Sequence, residues 1–139
     1  MSSREWLLAN PPPDSAFRQT LASVGRRTLD GTDVGFAVRE FLDEFAALPR
    51  GELRQRAIGE RPEPTADARA DAYLGALAEH LAATHGLTRP GWAVEPLRFL
   101  DRFWFVSDVP GFRALAIAQS PAAFRRRGIF VSSGALQRV

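Results

Sequence analysis

Up to Gly86 the apolar residues recur with a helical period; beyond it the period breaks into short pieces. Phe17, Leu21, Val24 and Thr28 share one face and predict a helix over 15–29, with Asp14 as its N-cap. Val34, Val38, Phe41, Leu42, Phe45 and Leu48 form the stripe of a second helix over 34–48. Thr32 or Asp33 caps it, and Arg39, Glu40, Asp43 and Glu44 make its solvated face. Pro49 ends that helix, and a weaker piece over 51–58 follows with Leu53, Ala57 and Ile58 inward. After a loop over 59–64, Thr65 opens the longest helix, 66–84, which buries Ala70, Tyr73, Leu74, Leu77 and Leu81. Gly86 takes the position past a helix end where a positive φ is needed. Ahead of all this, Ser3 to Ala9 suits a short helix, and Pro11, Pro12 and Pro13 a stiff connector.

Beyond Gly86, prolines at 90, 96, 110 and 121 keep the elements short. Pro96 opens a helix carrying Leu97, Phe99, Leu100 and Phe103, and Trp104 to Val106 is its end or a short extended piece. Pro110 starts a helix with Phe112, Leu115, Ala116 and Ile117. Ser120 and Pro121 are the N-cap and first residue of a helix over 122–127, and Ile129 to Val131 reads as a strand. Ser133 caps a last turn over 134–138. The expected fold is mainly α: a single-domain bundle of about five to seven helices with a short extended segment near the C-terminus. Its parts are an N-terminal arm (1–13), amphipathic helices (14–85) and an aromatic, basic module (86–139).

Composition sharpens that division. The chain of 139 residues is long enough for one core and too short for two. It has no cysteine, which excludes disulfides, thiolate metal sites and a cysteine nucleophile. All 18 basic residues are arginine, a bias that a G- and C-rich genome accounts for. Residues 1–85 hold ten arginines and thirteen acids, and residues 86–139 hold eight arginines and three acids. The positive balance thus lies in the aromatic half, while a net charge of +2 does not by itself call for nucleic acid. No signal peptide or membrane span is legible, so the expectation is a cytoplasmic protein without membrane contact.

Catalytic chemistry finds little footing. His80 and His85 are five apart, about 140° around a helix, and Glu79 precedes the first histidine, so the zincin arrangement is not met. No phosphate-binding loop, nucleophile elbow or dinucleotide fingerprint occurs. The expectation is therefore no enzyme, no metal and no cofactor. Two features suit a binding surface instead. Phe103, Trp104 and Phe105 are consecutive, so no single face buries all three and one lies at an edge, which is expected near Trp104. Arg125, Arg126 and Arg127 also cannot all face one way on a helix, and at most two can join one contact. These six are the candidate partner-binding residues.

The segment from Leu77 to Val139 carries L-A-E-H-L-A, P-L-R-F-L-D-R-F-W-F and S-P-A-A-F-R-R-R-G-I-F. It resembles a module of small actinobacterial proteins, some following a helix-turn-helix segment, others standing alone beside a toxin gene of the AbiEii nucleotidyltransferase type. The resemblance implies an antitoxin-like protein that neutralises a cognate toxin from an adjacent gene by direct binding. Its alternative is an accessory or effector domain of a transcriptional regulator, with weak or indirect DNA binding. The N-terminal half shows no clear helix-turn-helix, which favours the stand-alone form.

Overall fold

In the computed structural model, residues 19–107, 112–131 and 136 are described. The expected helix over 3–9, the triple proline, the Asp14 cap and the turn after Ser133 lie outside the described residues, save Leu136, which is buried. Four helices come first: α1 (Leu21–Leu29), α2 (Val34–Ala47), α3 (Glu52–Gly59) and α4 (Ala68–His85). Two 3₁₀ turns follow, Gly91–Val94 and Pro96–Arg98, then β1 (Trp104–Phe105), α5 (Phe112–Gln119), α6 (Ala122–Arg125) and β2 (Ile129–Phe130). The architecture is the mainly helical bundle, with its short extended segment near the C-terminus, that the pattern predicts.

Local chemistry sets the helix ends. Thr20 caps α1 in a capping box with Ser23, each side chain accepting from the other's N–H, so α1 starts later than the expected position 15. Asp33 caps α2 by accepting from the Phe36 N–H. On α4 the cap is Asp67, not Thr65: its carboxylate accepts from Arg69 and Ala70, whereas the Thr65 hydroxyl reaches Asp71 at 2.9 Å. Gly86 closes α4 at φ +65.

Helix α4 is the centre of the molecule. Every residue from Ala70 to Ala78 is buried, so it is surrounded and not one-faced as the sequence pattern suggests. Small residues make that possible: α1, α3, the 3₁₀ turns and α6 all pack on it. Phe41, Phe45, Leu74, Leu77 and Leu81 are sealed from solvent, each contributing about 1.5–3 kcal/mol by burial.

The C-terminal module departs most from expectation. In place of a helix from Pro96 through Phe103, the helical turn stops at Arg98 because Phe99 is extended and the Leu100 N–H donates to the Arg127 carbonyl at 3.1 Å. Helix α6 likewise ends at Arg125, not Arg127, and Gly128 turns the chain at φ +80. Ser120 is no helix cap. Its hydroxyl accepts from the Val131 N–H at 2.9 Å and donates to the Ala116 carbonyl, joining α5 to the end of β2. β1 and β2 pair in parallel, Trp104 opposite Ile129 and Phe105 opposite Phe130.

Gly75 is where the module approaches α4 most closely. A methyl group there would meet the Arg98 Cβ at 2.7 Å and the Ala93 carbonyl at 3.1 Å. Gly75→Ala should therefore lower urea stability by about 1–2 kcal/mol, overpacking outweighing the better helix propensity. Gly59, with nothing within 4 Å and no positive φ, should gain about 0.5 kcal/mol as alanine.

Candidate functional site

Strand parity sorts the three consecutive aromatics. Phe103 and Phe105 lie on one side and both meet Phe130, at ring distances of 5.5 Å (edge-on) and 5.0 Å (stacked). Trp104 points the other way, its ring 6.1 Å from that of Tyr73, with the Arg69 guanidinium 5.3 Å over it. Phe103 is 76% exposed, whereas Trp104 and Phe105 are half-buried. The edge residue is thus Phe103 and not Trp104, because Trp104 faces the bundle. Phe103 leans over the Gly128 turn, its ring 3.5 Å from where a Cβ on that glycine would lie. Val106, Leu115 and Ile117 are further exposed apolar side chains of the same module.

The three arginines divide as well. Arg125 is exposed and donates to the Ser120 carbonyl at 3.0 Å. Arg126 is about half exposed and reaches Glu79 at 2.9 Å. Arg127 is 1% exposed, which removes it from any docking surface. Its guanidinium donates to Glu79 at 3.2 Å and to the carbonyls of Ala123 and Ala93, under the Phe99 ring. Arg127 lies in the turn ahead of β2, and its side chain turns inward to these acceptors.

Arg98 repeats the arrangement. Fully buried, it donates to the Asp71 carbonyl at 3.3 Å and the Pro62 carbonyl at 2.8 Å, with the Trp92 ring 4.9 Å away. Burial pulls the pKa of both arginines below the ordinary value, against the carboxylates that raise it. Sequence reasoning missed Arg98, and the only visible signal was its place amid the aromatic segment after Pro96.

Trp104 and Tyr73 also wall a cleft of about 320 Å³, completed by Val34, Val38 and Val106, with Asp33 and Arg39 among the lining residues. Burial pushes the Tyr73 hydroxyl up to about 12, so it stays a neutral phenol at physiological pH. Among the described residues no group of three or more histidines or carboxylates could hold a metal, and no helix is long and apolar enough to cross a membrane. Compared with protein-family models, curated proteins and solved structures, the chain matches none.

The histidines are structural and pH-sensitive. His85 Nδ1 accepts from Arg54 at 3.2 Å, which leaves the proton on Nε2, buried without a partner among the described residues. Its ring edge meets Phe45. Burial first, then the Arg54 and Arg50 charges, hold its pKa below the usual imidazole value. Burial and then His85 do the same for His80, whose ring meets Phe124. Depressed folded pKa values mean that the unfolded chain binds more protons in the acid range. The stability these groups contribute is therefore present above about pH 6.5 and lost as pH falls through the lowered folded values. Urea midpoints should fall between pH 7.5 and 5.5, and His85→Gln should flatten that slope.

Proposed function

We propose that this protein is a non-enzymatic binding protein that docks a partner protein through the aromatic edge of its C-terminal module. Phe103 is the observation that carries this reading: a large apolar ring, mostly in solvent, packed edge-on against Phe130. A pre-positioned aromatic loses little conformational freedom on binding, the property of an interface anchor. Phe105 shares its side of the strand, and the exposed Arg125 and Arg126 of the same module add cationic groups, whereas Arg127 acts from behind by fixing the turn. The partner we favour is a cognate nucleotidyltransferase-type toxin from an adjacent gene, so that the protein acts as an antitoxin. What supports that choice is the resemblance of the segment from Leu77 to Val139 to modules of small actinobacterial proteins, some of which stand beside such a toxin gene. Neutralisation is steric, the arginines facing an active site made acidic by its metal-holding carboxylates.

Co-expression with the adjacent gene product tests this. One co-eluting peak on size exclusion and restored growth are expected, and Phe103→Ser should weaken the complex at least about tenfold. The same substitution should leave urea stability within about 0.5 kcal/mol, because so much of the ring is already wet. Separate peaks with no growth rescue contradict the reading.

A further inference from the structure

Glu79 gathers more cations than it can balance. Its side chain on α4 is 14% exposed and meets three guanidiniums. The buried Arg127 holds Oε2 at 3.2 Å, which fixes the carboxylate from behind. The outer oxygen, Oε1, takes Arg126 at 2.9 Å and Arg89 at 3.3 Å, from two separate loops. Both outer arginines are about half exposed. The Phe99 ring has Arg126 at 5.4 Å and Arg127 at 4.7 Å, setting the position of the Arg126 fork. Three cations against one anion leave a surplus of two positive charges in a pre-formed cluster. The one carboxylate oxygen shared by Arg89 and Arg126 leaves most of their N–H groups for another acceptor.

We infer that Arg89 and Arg126, gathered on Glu79, form a binding site for a phosphate-class oxyanion. Two guanidinium forks that already converge on one oxygen match the several oxygens of such an anion, which each fork can grip with paired hydrogen bonds. Glu79 acts as a spacer that holds the forks together in the absence of ligand, and Arg127 keeps Glu79 from swinging away. The site shares Arg126 with the proposed docking surface, but its ligand and its test do not depend on that reading. The phosphate is either free or the terminal group of a monoester.

The test titrates the full chain with inorganic phosphate, and separately with phenyl phosphate, against sodium chloride at matched ionic strength. Readouts are the side-chain Nε–H resonances of Arg89 and Arg126 and the thermal midpoint. A saturable movement of both resonances is expected, with a raised Tm, and Kd should weaken at least about tenfold in Arg89→Gln/Arg126→Gln. Response to both ligands assigns the phosphate group itself, and response to inorganic phosphate alone assigns the free ion. Arg89→Gln alone, which loses one long exposed contact, serves if the double variant does not fold. Responses equal to those in chloride, or undiminished in the variants, overturn the inference.

Discussion

Two buried arginines hold the irregular half of this protein to its helical half. Arg98 reaches across to the carbonyls of Asp71 and Pro62, and Arg127 reaches across to the Glu79 carboxylate while tying together the Ala93 and Ala123 carbonyls of its own module. A charge taken out of water costs several kcal/mol unless hydrogen bonds and counter-charges replace the lost hydration. Here carbonyls, the carboxylates of Asp71 and Glu79, and the faces of Trp92 and Phe99 supply that replacement. The segment from Trp92 to Phe105 has only short 3₁₀ turns and a two-residue strand to order it. Its position is therefore set by side chains reaching across to it, with Gly75 permitting the approach.

This arrangement connects the core to the surface. Arg127 and the Gly128 turn bring the chain into β2, whose Phe130 seats Phe103. The Leu100 N–H bond to the Arg127 carbonyl keeps the preceding loop alongside that turn. Arg127 also orients Glu79, on which Arg89 and Arg126 meet. One inward-facing side chain thus supports both the aromatic edge and the cluster of outward arginines. Loss of either would follow from loss of the same buried group.

Legibility in the sequence followed the range of the forces involved. Helix α2 was readable from its stripe because one side of it meets water, and the positive φ at Gly86 from a glycine after the last periodic residue. Helix α4 hid its full burial because alanines count for little in a pattern while allowing neighbours on every side. The module after Gly86 reads as a longer helix because the donor that ends it, the Leu100 N–H, is claimed by a residue far along the chain. At the candidate site, consecutive aromatics forced one outward, but choosing Phe103 over Trp104 required knowing which side held the bundle. Arg127 was unreadable for a related reason: arginine is rarely buried, and nothing local reveals carbonyls waiting around it.

Urea unfolding of Arg127→Met beside Arg126→Met tests the central claim most directly. The account predicts a loss of about 3 kcal/mol for Arg127→Met, since carbonyls and a carboxylate lose a buried donor, and less than about 0.5 kcal/mol for Arg126→Met at the surface. Equal, small effects at the two positions would contradict it.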